Sequence, residues 1–573
     1  MQIATQVFPF LEIPNWAIRL VIMLIVIGFP IALVIAWAFE LTPEGLKRTE
    51  FADELPKKSA RSRAWIYVVV IAGAISVGVF FLGRYTSSKQ SAELPAKSIA
   101  VLPFDNLSRD PDNAYFAEGI KEEVLARLSK VADLKVISIR ATQQPKSSPT
   151  DLSQIAQKLG VETFLEGSVQ RSADEVRVTV QLVRADTDAH LWADTFDRKL
   201  TDIFAVESEI AEAVADTLQT KLTGSEQRAI SAKPTANLEA YQFYLRGRYY
   251  WNRRTAGGLT RALEQFQQAV EKDPTYALAY AGLADCYAVM EEYTDTPSSE
   301  TLPKARAAAL RALQLDDSLA EAHASLGLIS VYLWQCGEGE KEYKRAIELD
   351  PNYPSAHHWY SFYLHMLGRL DEAMAEIKRA QQLDPLSPVI SDNLAVYFLN
   401  KGDLNAGIEQ CRKIIELDPN YPRVHSHLGW AYLKQGREQE AMAELQKGVE
   451  LSGRASARLG LLGYGYGALG KRAEARAVLR ELEERYARRE SPALYLAAVY
   501  AGLGEKDQAF AWLERDFQAR TGSLIFITFH PNYDTLRGDP RFADLLRRMG
   551  LKRSAGKQDK SADNSFESEE FLR

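Results

Sequence analysis

The sequence predicts a multi-domain chain: transmembrane helices, then an α/β domain, then an all-α solenoid of stacked helical repeats. Three observations carry that prediction. Two charge-free apolar stretches lie near the amino terminus, and short strand-like and helix-like patterns alternate from Ser98 onward. In the second half, Asp350-Pro351, Asp384-Pro385 and Asp418-Pro419 recur every 34 residues. A fixed period of that length marks helix-turn-helix units that bury their apolar faces only by stacking. At 573 residues the chain is also too long for one hydrophobic core.

The apolar stretches are residues 20–39 and 64–82, of 20 and 19 residues. Each is long enough to cross a hydrocarbon core as a helix. Pro30 lies inside the first, and Trp16, Trp37, Trp65 and Tyr85 lie near the ends, where aromatic rings favour the interface. The segment between them, 40–63, carries Lys47, Arg48, Lys57, Lys58, Arg61 and Arg63, against Arg19 alone before the first stretch. A short basic loop stays in the cytoplasm, so both ends face the other side. The expectation is a multi-pass protein of a bacterial inner membrane, with the lipid bilayer as one partner and the large carboxy-terminal region in the periplasm. The alternative is a signal peptide ending near Ala36-Trp37-Ala38, which would reverse the orientation. The absence of Lys and Arg from the first 18 residues argues against it.

Residues 98–223 read as the α/β domain. Ser98–Phe104 is a buried strand, Ala114–Lys130 has helical spacing and Leu134–Ile139 is a second strand. Asp151–Leu159 is a short helix capped by Asp151, and Val161–Ser172 with Glu175–Ala185 alternates like an antiparallel pair. His190–Asp197 extends that sheet and Phe204–Leu222 closes the domain as a helix. SIAVLPFDNLS at 98–108, YFAEGIKEEVLARLS at 115–129, LGVETFLEGSVQRS at 159–172 and HLWADTFDRKLTDIFAVESEIA at 190–211 together resemble the TolB-like (FlgO-type) domain. That resemblance implies a companion of tetratricopeptide arrays and of regulators, and it supplies no catalytic residue. His190, Trp192 and Asp194 share one face of a strand, which suits a hydrogen-bonded sheet surface better than a reaction site.

Residues 234–520 read as about eight helical pairs. The unit at 320–353 holds Leu326-Gly327, Gly339, Tyr343, Ala346 and Pro351; the unit at 422–455 holds Leu428-Gly429, Tyr432, Ala441 and Leu445. Large residues where helices touch and small ones where backbones approach resemble the tetratricopeptide repeat. Proline cannot continue the preceding helix, so each Asp-Pro ends one unit at a fixed place. The first helices of stacked units are expected to line a concave groove. Read by phase, that groove holds the apolar stripe Leu328, Phe362, Val396 and Trp430, flanked by His358, His365, Asp392, Asn393, Arg423, His427 and Lys434. An apolar floor with a mixed polar lining suits a peptide or helix from a partner protein.

Other signals are weaker. With 69 basic and 76 acidic residues the net charge is -7, which gives no reason to expect nucleic acid. Cys286, Cys336 and Cys411 form no CxxC pair. Gly465-Tyr466-Gly467-Ala468-Leu469-Gly470-Lys471 satisfies GxGxxG but falls on a repeat helix and its turn, where glycine serves packing. Six of the eight histidines lie between His323 and His427, with His323, His357 and His425 at one interhelical position. No metal or cofactor is expected. Residues 521–552 break the period and read as a cap, with a helix over Arg541–Met549; 553–573 is polar and charged, as disordered tails are. The function expected is a non-enzymatic, membrane-anchored protein-protein interaction scaffold. The alternative is a regulatory or sensory subunit acting on a cytoplasmic signalling enzyme such as an adenylate cyclase.

Overall fold

The computed structural model describes residues 39–42, 45–48, 97–139, 156, 159–294 and 296–551. The chain divides into two units, 1–92 and 93–573. In the first, the described residues form a hairpin of β1 (Phe39–Thr42) and β2 (Gly45–Arg48), antiparallel from Phe39↔Arg48 to Thr42↔Gly45.

This corrects the membrane expectation. Among the described residues no helix is long and apolar enough to cross a membrane. Residues 20–39 and 64–82 lie outside the described residues, save Phe39, which opens a strand instead of closing a helix. A span needs about 20 consecutive apolar residues in one helix. The longest described helices reach 18 residues and belong to the repeat array. The transmembrane part of the fold class, the multi-pass inner-membrane placement with a periplasmic carboxy-terminal region, and the bilayer as partner are therefore withdrawn. The tail 553–573 and most of the helix expected at 151–159 also lie outside the described residues.

The second unit begins with a small mixed-sheet domain. Its strands are β3 (Ser98–Val101), β4 (Asp105–Asn106), β5 (Lys135–Ser138), β6 (Thr163–Ser172), β7 (Glu175–Arg184) and β8 (His190–Lys199). The order is β5-β3-β6-β7-β8, with β4 beside β6; β3 runs parallel to β5 and β6, and β6-β7-β8 is an antiparallel meander. Val176, Val178, Val180 and Leu182 alternate inward along β7, as a half-buried strand requires. Helices α1 (Ala114–Ser129) and α2 (Ile203–Thr217) cover that face with Phe116, Ile120, Val124, Ile210 and Val214. His190 and Asp194 are exposed on the edge strand β8.

A buried polar knot joins this domain to the array. Arg127 of α1 donates to Glu207 at 3.2 Å and to the Ile230 and Ala232 carbonyls, while Tyr241 donates to Glu207. Burial pushes the Glu207 carboxyl up and the charge of Glu123 pushes it further, outweighing Arg127; burial likewise raises Glu123. A carboxyl raised in the fold holds a proton that the unfolded chain releases above about pH 4.3. Its contribution is thus complete at low pH and fades as pH rises through the folded value. Urea unfolding should show stability falling between pH 5 and 8. Glu207→Gln should flatten that fall and gain on the order of 1 kcal/mol at pH 8; an unchanged slope would refute this reading of the knot.

Helices α3 (Gly224–Ser231) and α4 (Leu238–Asn252) lead into the array, which continues as α5 (Ala256–Lys272), α6 (Ala277–Thr294), α7 (Ser298–Leu315), α8 (Ala320–Tyr332) and α9 (Cys336–Leu349). Then follow α10 (Pro354–Met366), α11 (Leu370–Leu383), α12 (Pro388–Asn400), α13 (Leu404–Leu417), α14 (Pro422–Lys434) and α15 (Glu438–Leu451). The last are α16 (Ser456–Ala468), α17 (Arg472–Ala487), α18 (Leu494–Gly502) and α19 (Lys506–Ala519). From α4 to α19 the described helices form eight consecutive pairs.

The recurring aspartate ends the second helices α5, α7, α9, α11 and α13. Asp273, Asp316, Asp350 and Asp418 each accept at Oδ1 from the backbone N–H two residues on, an Asx turn that stops the helix. His323, His357 and His425 hold each pair together, with Nδ1 2.6 Å from Glu342, Glu376 and Glu444 on the second helix. One turn has a second role: Asp350 takes Lys130 at 3.2 Å and Ser129 at 3.1 Å, docking the sheet domain on the array.

Candidate functional site

The first helix of each pair faces inward. Trp359, Asn393, His427, Leu461 and Tyr495 occupy one phase, 34 residues apart, on α10, α12, α14, α16 and α18, and all five line a single cavity of about 90 Å³. Of the eleven groove residues expected from phase, Leu328, His358, Phe362, Asn393, Val396, Arg423 and His427 line this cavity. Asp392 sits behind them, fully buried.

Charge here is organised around Arg423. It donates to Asp392 at 2.9 Å and Asn393 at 3.1 Å, and pairs with Glu292 on α6, four repeats and 131 residues earlier in the chain. His427 Nδ1 donates to the other Asp392 oxygen at 2.7 Å. Burial pushes the Asp392 carboxyl up, but His427 and Arg423 outweigh it and hold the group below the usual carboxylate range. Burial, with the charges of Arg254 and Arg423, pushes His358 down to about 3. It is therefore neutral and accepts from the Asn393 amide at 2.7 Å.

The groove is already occupied by the chain's own carboxy-terminal segment. Residues Gly522–Thr528 and Pro531–Leu536 form two 3₁₀ turns. Gly522 N donates to Ser298 Oγ at 2.9 Å, and Ser523 N donates to Glu291 Oε2 at 3.0 Å. Phe526 packs edge-on against Tyr332 and Phe362, with ring centroids 6.3 and 6.0 Å apart. Phe529 meets Phe362 at 5.5 Å and His365 at 4.8 Å, and its carbonyl accepts from Asn400 at 3.1 Å. Lys434 pairs with Asp534 at 3.1 Å and lies over the buried Trp430 ring. The helix of the cap, α20 (Pro540–Arg548), follows and is tied to α19 through Arg548–Glu514 and Arg541–Asp507.

The phase of the repeats brings seven of the eleven expected residues to one cavity and gives no sign of the segment that fills it. It also missed Arg254, Glu292, Tyr293, Arg458, His530 and Asn532. Leu461 and Tyr495 could have been found by extending the phase of His427. His530 and Asn532 carry no periodic signal, because they lie beyond the repeats.

Residues 244–295, 342–375, 398–459 and 491–515 match family models described as tetratricopeptide repeat. The array is built of tetratricopeptide repeats. Residues 95–213 match the second domain of the HilA/YgeH-like transcriptional regulators; these matches do not show the TolB-like assignment expected there. Putative adenylate cyclase 3 of Rhizobium meliloti (strain 1021) is 35% identical over 252 residues, 43% of this chain and 43% of that protein. The transcriptional regulator HilA of Salmonella typhimurium is 24% identical over 235 residues, 41% of each. The chain therefore spans about two fifths of the length of the curated relatives it matches. Among solved structures, pilF of Pseudomonas aeruginosa overlaps at a TM-score of 0.30 with 21% identity, over 38% of this chain and 93% of that one. A likeness that low carries no argument.

Proposed function

We propose that the chain is a non-catalytic protein-binding scaffold whose concave repeat face accepts an aromatic segment of a partner protein, coiled into short 3₁₀ turns. One observation supports this above all: the face already holds such a segment, Thr521–Leu536, by the means peptide grooves use. Side chains of Ser298, Glu291 and Asn400 take its backbone, and Tyr332, Phe362 and His365 receive Phe526 and Phe529. A partner binds by displacing the resident segment, which competes at the high effective concentration of a tethered ligand, on the order of millimolar.

A labelled peptide of residues 521–537 tests the reading. The wild type is expected to ignore it, while a chain carrying Phe526→Ala and Phe529→Ala binds it in fluorescence polarisation. Adding Phe362→Asp to that chain abolishes the binding. If the double variant stays folded by circular dichroism yet takes up no peptide, the groove is not a peptide acceptor.

The relative named as an adenylate cyclase favours a second reading, in which the scaffold regulates a signalling enzyme of that kind. Cyclic AMP in the cells that make this protein should then change when Phe362→Asp replaces the native residue. An unchanged level counts against regulation.

A further inference from the structure

Behind the resident segment, one cavity holds two buried polar atoms that have no hydrogen-bond partner among the described residues. It encloses about 90 Å³, several times the roughly 10–15 Å³ that a single water needs. Its walls come from both sides, with Arg458 contributed by α16 and His530 and Asn532 by the carboxy-terminal segment. Asn532 Oδ1 and His530 Nδ1 are buried without a hydrogen-bond partner among the described residues. The Arg458 guanidinium lines the cavity from α16, where Arg423 repels it and the charges of Glu292 and Asp392 attract it. These carboxylates offset burial and Arg423 only in part, because both are hydrogen-bonded to Arg423.

Unmet groups of this kind are costly in a folded protein, and each calls for an explanation. A guanidinium that lines a cavity and is only partly offset by neighbouring carboxylates is a receptor for a planar anion, which it grips with a fork of N–H donors. The buried amide oxygen of Asn532 calls for a donor on the same molecule. Burial and the charge of Arg423 push the Arg458 guanidinium down, the direction a bound anion would reverse. Burial, with the charges around it, also keeps His530 neutral, so its ring nitrogen serves as an uncharged partner. The rest of the wall is mixed, with the aromatic rings of Tyr293, Trp359 and Phe526 among aliphatic and charged neighbours.

We propose that this cavity binds a small organic carboxylate that also bears a hydroxyl or amino donor, with Arg458 holding the carboxylate and Asn532 and His530 the donor. This goes beyond the peptide reading, because the ligand sits between the repeats and the segment and fastens one to the other. A hydroxy acid and an amino acid share the required chemistry, and titration separates them.

The test is isothermal titration of the full chain with 4-hydroxybenzoate, phenylalanine, benzoate and inorganic phosphate. One of the first two is expected to bind at one site per chain, benzoate at least tenfold more weakly for lack of a donor, and phosphate not at all. Arg458→Met should weaken the bound acid at least tenfold. No binding by either donor-bearing acid overturns the proposal; so does equal binding of phosphate, or an affinity that Arg458→Met leaves unchanged. Should that variant fail to fold by circular dichroism, Asn532→Leu decides: a tenfold loss supports the site and an unchanged affinity sinks it.

Discussion

Arg423→Met is expected to destabilise the protein by about 3–5 kcal/mol, the usual cost of removing one partner from a buried ionic cluster. The guanidinium satisfies Asp392, which is fully buried, and also meets Glu292 and Asn393. Without it Glu292 and Asp392 lose the cation they share, and His427 is left as the ion-pair partner of Asp392. Chemical denaturation at neutral pH reads the loss directly. Replacing Arg423 and Asp392 together should recover a substantial part of it, because the burial cost of the orphaned carboxylate disappears with the group. A single-variant loss below about 1 kcal/mol, the scale of an exposed pair, would mean that the cluster is solvated.

Gly502→Ala is expected to cost about 2–3 kcal/mol by overpacking. A Cβ at 502 would stand 2.5 Å from the Tyr464 carbonyl oxygen and 2.8 Å from its Cα. Neither atom is a flexible side-chain end, so the helices α16 and α18 must move apart. The contact is reciprocal, since a Cβ at Gly467 would lie 2.6 Å from the Gly502 carbonyl carbon. Gly257→Ala is the control: it lies on α5 with nothing within 4 Å of the added methyl. There the change should be neutral or stabilise by about 0.5–1 kcal/mol. Equal thermal shifts in the two variants would remove the packing argument.

Gly467 also explains the GxGxxG string. The glycine permits backbone contact between α16 and α18, and no phosphate cradle is needed to account for it. The histidine cluster resolves in the same way. His323, His357 and His425 each clamp a helix pair through a glutamate, while His358, His365 and His427 face the groove. Both features were readable because a 34-residue period converts sequence position into a position on a helix face.

The period also made the groove legible, since first helices that repeat in phase must present equivalent residues to one side. Two other expectations had no such support. Residues 20–39 and 64–82 were read on hydropathy, and the one described residue of those stretches, Phe39, lies in a hairpin. The cap over 521–552 was read only from its break in the period, which says nothing of where it packs. Its segment 522–536 reaches back more than 220 residues to Ser298 and Glu291.

By itself the sequence determined the helical units, their caps, and the inward-facing stripe, because these follow from spacing and from the stopping power of Asp-Pro and Asx turns. Only the tertiary structure decided what covers that stripe, which charges Arg423 joins, and where Arg458, His530 and Asn532 converge. The physical reason is separation along the chain: local pattern fixes which face of a helix is buried, while the partner of that face is chosen by the closure of the whole array around its own end.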